Sequence, residues 1–364
     1  MIINKIAYLP QGETDYTNGT PTYKDYMFLA SKIKARSANM LTFERLEQML
    51  MSGSAENAAR MLAEAGWPNL IGMSSAEIDH ALAERRERIL HEVFMVAPED
   101  AVVDFFRIKY DYHNAKVIIK GEGAGIDAPE LLSNAGRVDK RELLEAYQDG
   151  DFRAIPSLLG KAMDEAKTVL AKTQNPQLSD FVLDKAMFAE LAEMAQTVEP
   201  NTEIPSMLLD PEALDPFMDR YRRLLIDSAN LRTCVRCVRM GKNAEFLRSV
   251  LIPDGNVSPN VLVQASFSGE GLAPLFTATP FQEAAVLGTA AMKGGTITRF
   301  EKECEDGLMR HLANLRLMYF GPELVVWYLT VEETNLVDVR MILTGLQAGI
   351  APERLKERLR ETYV

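Results

Sequence analysis

The stretch from Pro98 to Gly121, PEDAVVDFFRIKYDYHNAKVIIKG, decides the fold, because it predicts one long and mainly apolar helix. Its proline suits a first helical turn, where the missing N–H costs nothing. The acids that follow interact favourably with the positive end of the helix dipole. A helix of this length extends for about 36 Å. Asn114 and Lys116 lie in its second half, where polar side chains need either a partner or a functional reason.

Two later segments have the same form, Leu214 to Gly241 and Pro322 to Gly345. Aligned on the central polar residue, the three segments share further polar positions. These are Asn114, Asn230 and Asp338 at the centre, Lys116, Arg232 and Arg340 two residues later, and Asp111, Asp227 and Asn335 three residues earlier. Downstream, Gly136-Arg137-Val138-Asp139 matches Gly255-Asn256-Val257-Ser258. The shared order at a period near 110 residues predicts three related helical units, over 1–128, 129–250 and 251–364.

The remainder of the chain also has a helical period. Apolar residues between Thr42 and Ala65 recur at three-to-four spacing, with a break at Ser52-Gly53-Ser54, and Thr42 suits a helix start. Met, Leu, Ala, Glu and Arg, all good helix formers, are abundant, whereas alternating strand patterns are scarce. We therefore predict an all-α protein.

Composition narrows the functional class. The chain has 364 residues, ordinary globular proportions and a net charge of -12, which argues against a nucleic-acid partner. The longest stretch without Asp, Glu, Lys or Arg, from Gly255 to Gly269, is interrupted by polar residues, so no membrane span is predicted. The N-terminal residues show no signal peptide, and three cysteines fit a reducing compartment. These features predict a cytosolic protein.

The motifs resemble a known family, the central-stalk subunit of the rotary V/A-type ATPases, called the C subunit in archaea and bacteria and the d subunit in eukaryotes. The resemblance is strongest in the C-terminal run from Tyr328 to Gly345 and from Ala351 to Val364. It continues in Tyr110 to Lys116 and in Tyr26 to Leu50, where Ala35-Arg36 precedes Leu41-Thr42. All three repeats take part, so the resemblance covers nearly the whole chain. The family pattern has Asn where this chain has Asp338.

The resemblance implies a funnel of three pseudo-symmetric helical lobes, one per repeat. Such a subunit is not catalytic and needs no cofactor. It would sit on the membrane proteolipid ring, take the end of the central shaft (D- and F-type subunits) and pass torque between shaft and ring during H+ or Na+ transport. It would be peripheral at the cytoplasmic face of the membrane, with indirect membrane contact through the ring. The alternatives are a cytosolic helical-repeat interaction scaffold and a redox enzyme using Cys234 and Cys237.

The polar positions of the three segments have two interpretations. The first is a buried hydrogen bond beside a cation whose head reaches water. The second has the three cations facing one shared central space, with partner contacts among Asn114, Lys116, Asn230, Arg232, Asp338 and Arg340. Arg232, Arg236 and Arg239 share one helix face and either pair with carboxylates of the chain or dock an acidic partner.

Other motifs carry little chemistry. No GxxxxGK[ST] phosphate loop occurs, and Gly121 to Gly125 predicts a helix stop. Cys234 and Cys237 are interpreted as small apolar residues on one helix face; Cys304 and His311, the other candidate zinc ligands, are spaced seven apart. The sequence thus predicts no catalytic, cofactor-binding or metal residue. The acid pairs Glu332-Glu333 and Glu303/Asp306 are expected on solvated faces.

Overall fold

The computed structural model describes residues 23–126, 129–198 and 217–364, and within these ranges the regular structure is entirely helical. The all-α prediction is therefore confirmed. The α-helices of the described ranges are α1 (Met27–Ser37), α2 (Phe43–Leu50), α3 (Ala55–Glu64), α4 (Ser75–Phe94), α5 (Asp100–Ala124), α6 (Lys140–Asp149), α7 (Ser157–Thr173), α8 (Pro176–Ala195), α9 (Phe217–Arg239), α10 (Ala244–Val250), α11 (Pro259–Ser268), α12 (Gln282–Met292), α13 (Ile297–Leu312), α14 (Pro322–Gln347) and α15 (Pro352–Lys356).

Short polar side chains set the helix starts. The hydroxyl of Thr42 accepts from the backbone N–H of Arg45 at 3.2 Å and begins α2, as predicted. Ser54 caps α3 in the same way, so the predicted break between the two helices is confirmed. Each cap satisfies one of the backbone N–H groups that a helix leaves without an internal partner.

Helix α5 ends at the last glycine of the Gly121–Gly125 run, later in the sequence than predicted. The helix continues through Gly121 and Gly123 and ends only where Gly125 adopts a left-handed conformation, with φ 66°. A Cβ on Gly123 would lie 2.8 Å from the side chain of Leu170, so this glycine lets α5 approach α7 closely. The helix stop is thus confirmed at the last glycine only, because the earlier ones serve packing.

The described residues fall into two compact units. The first holds those of Met1–Pro98, Leu231–Ala244 and Val261–Val364, and the second holds those of Glu99–Asn230 and Glu245–Asn260. Helix α9 contributes its first part to the second unit and its last part to the first. No helix within the described ranges is both long enough and apolar enough to cross a membrane.

Each unit is organised around one of the long helices. In the first unit α14 packs against α1, α2, α3 and α4. Its core joins buried residues of α2, α3 and α4 to Leu336, Val339, Ile342 and Leu343 of α14. In the second unit α5 packs against α6, α7 and α8. The aligned polar positions of the first and third sequence segments therefore lie on the central helices of these units.

Candidate functional site: polar positions of the long helices

Two asparagines hold backbone segments against α5 and α9 with the same geometry. The Asn114 amide donates to the Ser133 carbonyl at 2.9 Å and accepts from the Ser133 N–H at 2.8 Å. Asn230 makes the same pair of bonds to Ile252, at 2.8 and 2.9 Å. Both asparagines are fully buried. An amide has one acceptor and one donor group, so it can replace a missing backbone partner completely.

The aspartates one helical turn earlier hold the next part of the same segments. Asp111 accepts from the backbone N–H groups of Arg137 and Val138, at 2.8 and 3.1 Å. Asp227 accepts from the Val257 N–H at 3.1 Å and from the Asn256 side chain at 2.8 Å. Burial raises the pKa of both carboxyls, while these donors oppose that rise.

Glycine is required where the aspartates meet these segments. A Cβ on Gly136 would collide with the Asp111 carboxylate, and one on Gly255 would lie 2.5 Å from Oδ1 of Asp227. Gly136 and Gly255 are aligned in the sequence repeat and play the same part here. The matching Gly-x-Val motifs are thus the segments that the long helices bind.

Helix α14 uses its polar positions differently. Asp338, aligned with the two asparagines, accepts from the Arg360 backbone N–H at 3.3 Å and from its guanidinium at 2.9 Å. Burial raises the pKa of Asp338 to about 7, against the lowering effect of Arg360. Asn335 is fully buried, and neither polar atom of its side chain has a hydrogen-bond partner within the described ranges. Asp338 thus fixes the C-terminal segment to α14.

Further bonds hold the same C-terminal segment. The Glu361 N–H donates to Asp306 at 2.9 Å, and Trp327 donates its indole N–H to the Tyr363 carbonyl at 2.9 Å. Arg360 also forms an ion pair with Glu305. This segment is part of the strongest family resemblance, but its role as a partly buried partner of α13 and α14 could not be inferred from it.

The three aligned cations lie at partly exposed positions, and each pairs with a carboxylate from another helix. Lys116 lies 2.5 Å from Asp184 of α8, and Arg232 lies 3.6 Å from Glu305 of α13. Arg340 binds Asp79 of α4 through two bonds of 2.5 and 2.9 Å. Arg340 is the most exposed of the three, with 57% of its side-chain surface accessible. Each cation is thus paired within the chain, while part of its side chain remains accessible to solvent.

Within the first unit a network of ion pairs connects two of the aligned positions, Arg232 and Asp338. Glu305 contacts both Arg232 and Arg360, and Arg360 contacts Asp338. Arg236 pairs with Glu301 at 2.7 Å, and Arg239 donates to the carbonyls of Ala291 and Gly295. The basic face of α9 is therefore matched by groups of the chain itself.

The expectation that the acid pairs lie on solvated faces is wrong. Glu332 is 4% exposed and lies 3.3 Å from Arg85, while Glu333 lies 3.2 Å from Arg86. The fully buried Asp306 forms an ion pair with Lys302, and Glu303 forms one with Arg310. Arg85 and Arg86 belong to α4, far away in sequence, so no local pattern could reveal their pairing. Burial raises the pKa of Glu332.

The cysteines are buried. Cys234 and Cys237 are 0% and 2% exposed on α9, and Cys304 is fully buried on α13. Burial raises the pKa of Cys234 and of Cys304 to about 12 in each case. Their interpretation as small apolar residues is confirmed. No cluster of three or more potential metal ligands occurs within 23–126, 129–198 and 217–364.

Comparison with known proteins supplies a family. The family model described as "ATP synthase (C/AC39) subunit" matches residues 29–358. The C subunit of the V-type sodium ATPase of Enterococcus hirae is 20% identical, over 93% of this chain and 99% of its own. The C subunit of the A-type ATP synthase of Pyrococcus furiosus is 22% identical, over 92% of this chain and 90% of its own. The corresponding A-type protein of Haloferax volcanii is 20% identical, over 91% and 96%.

Proposed function

Because the chain belongs to the ATP synthase (C/AC39) subunit family, we propose that it is the non-catalytic rotor subunit of a V/A-type ATPase. The observation that carries the proposal is the extent of the match, since one family model spans residues 29–358. The relatives quoted above are all C subunits, and they align over nine-tenths or more of both chains. The all-helical structure and the earlier sequence motifs agree with this assignment.

The proposed architecture is a funnel of three lobes, formed by residues 1–128, 129–250 and 251–364. The equivalent bonds made by Asn114 and Asn230 support it, because each fixes the segment that opens the next repeat. In each case an adjacent aspartate holds the matching Gly-x-Val motif. Segments tied to long helices in this way resist deformation, which a torque-transmitting part requires.

The proposed partners are the D- and F-type subunits of the central shaft and the membrane proteolipid ring. The protein would lie at the cytoplasmic face of the membrane and contact it only through the ring. Its work would be mechanical: it holds the shaft end and couples shaft rotation to H+ or Na+ movement, with no cofactor. The family membership supports this arrangement, since the relatives are named as subunits of ion-linked ATPases and ATP synthases.

For the shaft contact we favour the outward-facing cations Arg232 and Arg340, and next Lys116. All three keep part of the side chain accessible, at 32%, 57% and 25%. Asn114, Asn230 and Asp338 are fully buried, so we assign them to the repeat motif, in which they hold backbone segments against the long helices, and not to a partner contact. A cation that already has a carboxylate beside it can share its remaining donors with an incoming acidic group.

Purification of the tagged chain from its own cells tests the assignment. In mild detergent it should bring down the proteolipid and shaft subunits together. Deletion of its gene should leave a catalytic head that hydrolyses ATP without driving ion transport. Recovery of the chain with unrelated proteins, and normal ion pumping in the deletion strain, would overturn the proposal.

A charge-swap experiment tests the contact residues. Arg232→Glu with Arg340→Glu should weaken shaft binding and uncouple ATP hydrolysis from pumping. A close charge pair at an interface couples by about 1.5–7 kcal/mol, so affinity should fall by more than tenfold. Circular dichroism should show native helicity, because both pairs are partly exposed and contribute little to folding.

The control restores one ion pair inside the chain, that of residues 340 and 79, with its charges reversed. Glu305→Arg would also disturb Arg360, so the swap is made at the simpler pair, Arg340→Glu with Asp79→Arg. Uncoupling that persists in the swapped variant supports a partner contact at Arg340. Recovery of full coupling would show that the cation matters only through Asp79, and would reject the contact.

A further inference from the structure

A cavity of about 720 Å³ lies in the first unit, between α4, α14 and the loop that joins α1 to α2. Its lining includes four arginines, Arg36, Arg45, Arg85 and Arg88, and three glutamates, Glu64, Glu92 and Glu332. The remaining lining residues are uncharged. Four cations against three anions leave one net positive charge on the lining, in a chain whose overall charge is -12.

Arg88 supplies the surplus charge. Arg36 forms an ion pair with Glu92, Arg45 lies 3.4 Å from Glu64, and Arg85 lies 3.3 Å from Glu332. Arg88 lies one helical turn after Arg85 on α4, is solvent-exposed, and forms no ion pair within the described part of the chain. Its guanidinium is therefore available at the rim of the cavity.

Two residues that line this cavity also have a buried N–H group without a hydrogen-bond acceptor. The indole Nε1 of Trp67 and the Nε of Arg85 have no hydrogen-bond partner in the described ranges. Trp67 is only 5% exposed, and the Arg85 guanidinium carbon lies 3.9 Å from the centre of its ring. Burying a donor without an acceptor costs folding free energy. The unmatched groups at this cavity are donors, so what is missing is an acceptor.

We propose that this cavity binds a small oxyanion of the phosphate class. A phosphate ion is negatively charged and offers several acceptor oxygens. These match the unpartnered N–H groups of Trp67 and Arg85 and the positive charge of the Arg88 guanidinium. The planar fork of arginine fits phosphate oxygens in pairs. The donors come from Arg85 and Arg88 on α4 and from Trp67 in the loop between α3 and α4, so the bound ion would join separate elements of the first unit.

Titration of the full chain with inorganic phosphate tests the proposal, with chloride added to hold the ionic strength constant. Calorimetry should give a saturable heat, and the melting temperature should rise with phosphate because the ion binds only the folded chain. Arg88→Gln should weaken binding about tenfold, as expected for a charge-assisted contact. Because Arg88 is exposed, its replacement should leave the helicity of the chain unchanged.

Arg86→Gln is the matched control. Arg86 is on the same helix and also carries one positive charge, but it pairs with Glu333 and does not line the cavity. Its replacement should leave phosphate binding within about twofold of the wild type. A similar loss in both variants would indicate general charge attraction and would overturn the site.

Trp67 gives a local optical readout. Phosphate should change the tryptophan emission of the wild type, and Trp67→Phe, which removes the unmatched N–H, should abolish that change and weaken binding. Acetate provides the comparison with a carboxylate. Failure to see saturable binding, an equal response to chloride, or acetate binding as tight as phosphate would each contradict the proposal.

Discussion

At the scale of single residues, the difference between an amide and a carboxylate explains how α14 departs from α5 and α9. Asn114 and Asn230 both donate and accept, so each pairs with the N–H and the C=O of one residue. The carboxylate of Asp338 cannot donate to a carbonyl. It accepts from the Arg360 N–H and takes the guanidinium of the same residue as its second partner. Arg360 compensates for the negative charge of this carboxylate.

Asp338 should make stability depend on pH. Its pKa is about 7 in the folded chain and near 3.9 when unfolded, so between these values the folded state binds one more proton. Unfolding free energy should therefore rise as pH falls from about 7 towards 4, by up to about 1.4 kcal/mol per pH unit from this group. Asp338→Asn should remove that contribution.

Urea unfolding of wild type and Asp338→Asn at several pH values measures the effect. The free-energy difference between the two proteins is the quantity to plot, because contributions from other groups cancel in it. Relative to the variant, the wild type should gain stability towards acidic pH. A difference that stays constant from pH 5 to pH 8 would mean that Asp338 ionises normally.

The buried thiols should be unreactive in the folded chain. With the pKa of Cys234 and Cys304 raised to about 12, almost no thiolate exists at pH 8, and thiolate is the reactive form. Iodoacetamide should leave Cys234, Cys237 and Cys304 unmodified in buffer and modify all three in urea. Mass spectrometry counts the adducts. Rapid alkylation of Cys234 and Cys237 without urea would revive the redox interpretation.

At the scale of helices, local sequence patterns predicted the elements well and their partners poorly. The three-to-four spacing and the Thr42 and Ser54 caps follow from interactions within a few residues, so they can be read locally. The carboxylates that pair with Lys116, Arg232 and Arg340 come from α8, α13 and α4. Only tertiary packing brings them together, and that information is not contained in the repeat.

The same limit explains why Glu332 and Glu333 were wrongly expected on a solvated face. Glu332 and Glu333 lie on a helix that is packed on several sides, and their arginines are supplied by α4. For the Gly-x-Val motifs the sequence pattern was recognised, since their spacing from the long helices repeats. The reason for glycine is the close approach of an aspartate, which appears only in three dimensions.

Gly136→Ala should destabilise the second unit. The added Cβ would meet the Asp111 carboxylate and push the segment away from the two N–H bonds that it makes. Overpacking of this kind costs about 1–3 kcal/mol, which denaturant unfolding can measure. Asp111→Ala removes the colliding group, so Gly136→Ala should cost much less in that background. Fully additive costs would show that the clash does not control this position.

At the scale of the whole molecule, the family assignment and the charge make a joint prediction about membranes. The net charge of -12 opposes attraction to anionic headgroups. We expect the purified chain to stay in the supernatant when vesicles of phosphatidylglycerol and phosphatidylcholine are sedimented. It should sediment with the same vesicles once they carry the proteolipid ring.

The ring-free vesicles are the control for that experiment, and high salt is a second one. If protein contacts hold the chain in place, binding to ring-containing vesicles should survive about 1 M salt, where the Debye length is about 3 Å. Strong binding to the ring-free vesicles would contradict indirect attachment. Binding to neither would count against the ring as a partner.

The asparagine and aspartate bonds have a consequence for amide hydrogen exchange. Loop amides usually exchange within seconds because water reaches them freely. The N–H groups of Ser133, Arg137, Ile252 and Val257 are instead held by buried side chains of α5 and α9. They can exchange only when the loop leaves its helix, so these loop amides should keep their protons almost as long as the helix cores beneath them.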